Sequence, residues 1–310
     1  MSARDTAAAS ATPRDPEELE ALAGESSREV ASGTTVGAVH LTVSSLDRSL
    51  EYYETSIGLE TLERGAGLAW LGAASRDLLV LVEQPGARPA RGFTGLYHFA
   101  LRVPERVDLA RWLAHAARDR VQLVGLSDHF VSEAIYLSDP DEHGIEIYWD
   151  RPREGWEGKV ASALTTIPLD VHDLLGVLDD PASEPFSALP VETAMGHVHL
   201  RVARIREAVA FYRDVLGLGL MMQLGDHAAF LSAGGYHHHI GANTWESAGA
   251  PAPPAGTAAL RHATIVLPDA AERDRVIGRV EASGIPVLDG ANGPSVIDPS
   301  GNPLVLAVAS

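Results

Sequence analysis

Thirteen histidines and no cysteine define the chemistry open to this chain. Imidazole is the commonest protein metal ligand and a proton acceptor near neutral pH. The lack of cysteine excludes thiolate zinc sites, iron–sulfur clusters and disulfides. Several histidines sit in strand-like or glycine-rich surroundings: His98 in GLYHFALRV, His197 in MGHVHLRV, His262 in LRHATIVL, and His237, His238 and His239 in SAGGYHHHIG. Taken singly, a strand histidine is more often structural than a ligand. Glu146 in GIEIYWD would likewise pass as the exposed partner in an alternating strand. Where these residues fall in a repeat decides their meaning.

The elements that must position them recur four times. Residues 1–34 are polar, rich in Ala, Ser and Glu, and read as a flexible tail. After them, an alternating strand, a helix and further strands divided by Gly-rich turns appear in succession, a β-α-β-β-β plan. The first stretch opens with VGAVHLTV and continues into the helix LDRSLEYYETSI, which stops at Gly58. The third opens with MGHVHLRV and continues into IREAVAFYRDVL, stopping at Gly217. Ala38 precedes Tyr53 by 15 residues, as His197 precedes Tyr212. The second opens with GLYHFALRV before a helix from Pro104 to about Arg120, and the fourth with LRHATIVL before a helix over about 269–283. These two also end alike, in SDPDEHGIEIYWD and IDPSGNPLVLAV. The expected fold is α+β, with four βαβββ modules paired into two domains at 35–152 and 193–310. A Pro-, Asp- and Glu-rich linker over about 153–192 divides them and holds a short helix near DVHDLLGVL.

Composition bounds the partners. The 310 residues suit about two domains. Acidic residues number 42 against 24 basic, a net charge of −18, which disfavours nucleic acid and anionic membrane surfaces. No apolar run approaches the roughly 18 residues of a membrane span. The first residues lack the basic start and apolar block of a secretory signal, so the cytoplasm is the expected compartment.

Superposing the four openings places Ala38, His98, His197 and His262 at one position. Superposing the two endings sets Glu146 opposite Val305. Modules two and three therefore supply two histidines and a carboxylate: His98, His197 and Glu146 make a candidate facial triad that leaves coordination positions open. Modules one and four carry Ala38, Val305 and Ser295 where such groups would stand, although His40 lies on the face of Ala38. The alternative is an all-histidine site in the C-terminal half, from His197, His262 and one of His237–His239, suited to zinc or iron(II).

The strings GLYHFAL, SEAIYLSDPDEHGIEIYWDRP, MGHVHLRV and SAGGYHHHIGANTW, together with the repeat over residues 35–152 and 193–310, resemble the vicinal oxygen chelate superfamily of glyoxalases, antibiotic-sequestering proteins and extradiol dioxygenases. Within it they resemble the two-domain bacterial catechol 2,3-dioxygenases. That resemblance implies a cup holding Fe(II), or less often Mn(II), a small aromatic substrate and O₂ as partners, and the possibility of a homo-oligomer. It implies that Tyr136, ten residues before Glu146, contacts a substrate oxygen. It also places His129 close to the site and makes His238 the acid–base group, on a strand whose other face carries His237 and His239. Two rivals remain: a metal-dependent glyoxalase-like isomerase, and a metal-free protein sequestering a planar aromatic between Trp70, Trp149 and Trp245.

Overall fold

In the computed structural model, residues 28–309 are described, and each of the four stretches forms the expected β-α-β-β-β unit. The modules open with strands Thr35–Val43, Gly95–Arg102, Ala194–Arg201 and Leu260–Leu267. They close with strands Arg76–Glu83, Gly144–Asp150, Ile240–Asn243 and Pro303–Val308. In every module the opening and closing strands lie side by side and parallel, which requires the intervening helix as a crossover.

The modules do not join in chain order. One eight-stranded sheet unites module four with module one, through antiparallel pairing of their opening strands. A nine-stranded sheet unites module two with module three in the same way, setting His98 opposite His199 and Ala100 opposite His197. The covalent neighbours are tied differently. Tyr53 donates its phenol proton to Asp139, at 2.9 Å, across modules one and two. Tyr212 does the same to Asp298, also at 2.9 Å, across modules three and four. Both tyrosines are fully buried, and a single apolar core cluster includes residues of all four modules.

Local chemistry explains the helices. Arg106–Asp119 starts with a capping box between Glu105 and Asp108 and buries Leu109, Trp112, Leu113 and Ala116 along one face. Asp269 caps Ala270–Ala282 by accepting from the Glu272 amide. The helices after the first and third openings differ from expectation: Leu46–Tyr52 and Ile205–Val209 continue as π-helical Tyr53–Ile57 and Ala210–Val215. In each, the widened turn contains the tyrosine that reaches the buried aspartate.

The sequence-based tail ends earlier than residue 34. Residues 1–27 lie outside the described residues, but Val30 is buried and its amide donates to the Gly217 carbonyl at 2.8 Å. The segment 153–192 carries helices Val160–Ala163 and Val171–Leu175. It also adds a short strand, Ile167–Pro168, to the edge of the nine-stranded sheet beside Leu123–Asp128. No helix among the described residues is long and apolar enough to cross a membrane.

Gly144 shows how tightly the site strand is seated. A Cβ there would stand 2.1 Å from the Tyr97 carbonyl oxygen and 3.1 Å from the His98 Cβ. Gly144→Ala is therefore expected to destabilise the protein by roughly 2–4 kcal/mol, through overpacking against backbone that cannot yield. Thermal unfolding would measure it; an unchanged midpoint would show that the two strands separate freely.

Candidate metal centre

The seam between modules two and three gathers the chemical groups. On the closing strand of module two, Glu146, Tyr148 and Asp150 share one face by the two-residue period. Glu146 is 2% exposed, with its Oε2 3.0 Å from His98 Nε2 and 3.1 Å from His197 Nε2. The two ring nitrogens are 3.4 Å apart. Cis ligands about 2.1 Å from one metal stand about 3 Å from each other, so the spacing of these three donors fits a single ion. The donor set fits as well: two imidazoles and one carboxylate suit divalent iron or manganese. Burial holds the His197 imidazole down to about 4, neutral and available as a ligand. Burial opposes charge on Glu146, but His197 and His98 overcome it and keep the carboxyl well below its ordinary range. These are the residues of the sequence-derived triad, drawn from modules two and three.

A cavity of about 620 Å³ opens over this cluster. His98, Glu146, Tyr136, His129 and His238 line it, together with apolar Val124, Val131, Leu164, Met222 and Phe230. Tyr136 lies directly across from Glu146 in the strand register. Its hydroxyl is 2.7 Å from His129 Nε2, while His129 Nδ1 faces the Thr165 carbonyl at 2.8 Å. A carbonyl only accepts, so Nδ1 carries the proton and Nε2 accepts from the Tyr136 phenol. Burial raises the Tyr136 phenol well above its ordinary value and keeps it protonated.

The histidine run departs from the expected strand. It lies in the connection between strands Ala228–Ser232 and Ile240–Asn243, because Gly234 and Gly235, at φ 58° and 68°, turn the chain out of extended geometry. His238 nonetheless lines the cavity, its ring centroid 4.0 Å from that of His197. His237 and His239 point elsewhere. His237 bonds Asp150, and His239 Nδ1 accepts from the Ala233 amide.

The all-histidine alternative does not assemble. His262 belongs to the other sheet, where it pairs with His40 and stacks on it at 3.8 Å between centroids. Of the three tryptophans named for an aromatic clamp, Trp245 lines the cavity. Trp70 stands in the module-one strand Leu68–Ala73, and Trp149 packs against the apolar core on the side opposite Glu146. Sequence reasoning missed His199, which shares the face of His197, is 3% exposed, and has an Nε2 with no hydrogen-bond partner among the described residues. The two-residue spacing in HVH was the available signal. It also missed Leu164–Thr166, the part of the connecting segment that lines the cavity and anchors His129.

Buried neutral histidines make the fold acid-sensitive. Burial, aided by His262 and Arg261, takes His40 down to about 3. Burial and Arg261 take His262 to about 4, and burial followed by His237 takes His239 to about 3. The unfolded chain binds these protons near the free value of 6.5 and the folded chain does not, so stability is full above about pH 6.5 and falls as pH drops toward 4. Each excluded proton contributes at most about 1.4 kcal/mol per pH unit, less for the half-buried His40 and His262, which solvent screens. Urea midpoints are expected to be lower at pH 5.0 than at pH 7.5; equal midpoints would mean that these rings protonate within the fold.

Comparison with known proteins identifies the family and the fold. The profile of the Glyoxalase/Bleomycin resistance protein/Dioxygenase superfamily matches residues 35–147 and 194–306. A Catechol-2,3-dioxygenase of Bacillus subtilis (strain 168) is 42% identical over 274 residues, covering 86% of this chain and 94% of that protein. A solved structure from Bacillus subtilis subsp. subtilis str. 168 aligns over 88% of this chain and 85% of its own, with a TM-score of 0.59 at 16% identity. Glyoxalase I from Zea mays aligns over 88% and 92%, with a TM-score of 0.55, also at 16% identity. These two structures share the fold. With its repeated match to the superfamily profile and its close curated relative, the chain belongs to the Glyoxalase/Bleomycin resistance protein/Dioxygenase superfamily.

Proposed function

We propose that the chain is an extradiol dioxygenase that opens a catechol-type ring with O₂. The observation that carries this reading is the convergence of His98, His197 and Glu146 beneath a largely apolar cavity flanked by Tyr136, His129 and His238. The curated relative, named a Catechol-2,3-dioxygenase, supports it. A divalent ion held by these three residues, Fe(II) in our reading or else Mn(II), would supply Lewis acidity and open positions for two vicinal oxygens and for O₂.

The remaining work falls to the chain itself. The apolar wall excludes water from the ring and leaves room beside it for substituents, since a cavity of this size accommodates ligands well beyond a single ring. Tyr136 directs its proton at His129, so its oxygen keeps lone pairs to accept from a ring hydroxyl. His238 takes the proton of the other hydroxyl at its Nε2 and returns it as the ring opens. Both oxygen atoms of O₂ enter the product, an unsaturated semialdehyde. The glyoxalase-like reading draws less support, because the cluster contains one carboxylate among the described residues.

The test is anaerobic loading with Fe(II), followed by catechol and air. Oxygen uptake matching catechol loss, with new visible absorbance, is expected. A metal-loaded protein that consumes no oxygen across a panel of substituted catechols would overturn ring cleavage.

A further inference from the structure

We propose that Asp150 and His237 are a positioning pair that holds His238 in one tautomer, with Nδ1 protonated and Nε2 bare toward the cavity. The inference rests on the reading of His238 as the proton acceptor and specifies how that state is maintained.

The argument runs outward from a carboxylate. Asp150 Oδ1 lies 2.8 Å from His237 Nε2, while Asp150 Oδ2 accepts from the Tyr236 phenol at 2.7 Å and faces Arg102 Nη1 at 3.4 Å. Tyr148 in turn donates to the Tyr236 oxygen at 2.7 Å. Tyr236 and Arg102 thus both donate to Asp150 and hold it ionised, so His237 Nε2 must carry the proton in the third bond. In neutral His237 the other nitrogen, Nδ1, is then a bare acceptor. It stands 2.8 Å from His238 Nδ1, and a contact of that length between two ring nitrogens needs one proton. The proton belongs to His238 Nδ1, which leaves His238 Nε2 as a lone pair. A cationic His237 would reverse the last bond and put a proton on His238 Nε2, so the two states are distinguishable.

Placement makes the pair necessary. His238 sits in a connection turned by two glycines, with no strand ladder to fix its ring. Asp150 lies on the same strand face as Glu146, four residues on, so one strand presents both the candidate ligand and the anchor of the acceptor. His237 is 1% exposed, and its ring packs at a steep angle against Trp156, 5.7 Å between centroids. Carboxylate–imidazole bonds of this kind fix which ring nitrogen is free.

The experiment is ¹⁵N-histidine NMR of the full chain without metal, with the His238 resonances assigned by their loss in His238→Gln. An Nδ1–H pattern for His238 is expected in the unsubstituted protein. His237→Phe should shift it to Nε2–H or to a mixture. In iron-loaded protein the same variant should lower kcat about 10- to 100-fold, with KM and metal content unchanged. Should His237→Phe fail to fold, Asp150→Ala is read in its place, with the same tautomer shift expected. An Nε2–H pattern in the unsubstituted protein, or a His238 tautomer unmoved by loss of His237 or Asp150, would overturn the pair. Because the tautomer is read without turnover, an absence of ring cleavage alongside the expected pattern would count against the proposed reaction and not against this pairing.

Discussion

Glu146→Gln is expected to weaken iron binding by at least about 100-fold and to abolish ring opening. Removing even a residue that merely orients a metal ligand typically costs 10- to 100-fold in affinity, and Glu146 would contribute the only negative charge among the three donors. The substitution keeps the shape and leaves an amide oxygen that the His98 and His197 rings can still reach, so the fold should persist. Far-ultraviolet circular dichroism, elemental analysis after gel filtration and oxygen uptake would separate these effects. A variant with full metal content and turnover would refute the role assigned to His98, His197 and Glu146 together.

The second large effect concerns the other side of the cavity. His238→Phe should retain metal and KM while kcat falls by about 10² to 10⁴, the usual range for losing a positioned general base. Phe preserves the flat ring that packs against His197 and Phe230. Burial, followed by the neighbouring His197 and His237 rings, holds His238 well below 6.5. The intact protein should therefore show no loss of rate from this ring as pH is lowered from 8 to 7. Steady-state kinetics at both pH values would check both statements, and a variant with unchanged kcat would remove His238 from the reaction.

The fold was largely legible because its unit is repeated. Openings such as VGAVHLTV and MGHVHLRV announce strands by alternation, and Gly58 and Gly217 close the helices after them at matching positions. Repetition also put His98 and His197 at one position, but it gave His262 the same place, although that ring lies in the other sheet, and Glu146 stood out only against Val305. What alternation could not reveal is which modules share a sheet, because that depends on pairing between strands about a hundred residues apart. The histidine run misled for a local reason: two glycines at positive φ end the strand just where alternation was being counted. His199 was passed over although the same alternation put it beside His197. The service of Thr165 to His129 left no mark in its own neighbourhood, because it is a main-chain carbonyl that acts.

The arrangement of the four modules has a consequence for endurance. Joined alternately by a buried tyrosine–aspartate bond and by strand pairing, they form a closed cycle. Of its two strand-paired junctions, the one that gathers His98, Glu146 and His197 is also spanned by the chain through residues 153–192. A tether keeps separated surfaces at high effective concentration, so a break at this junction recloses within the molecule. The seam between modules two and three is thereby placed to heal after a transient opening.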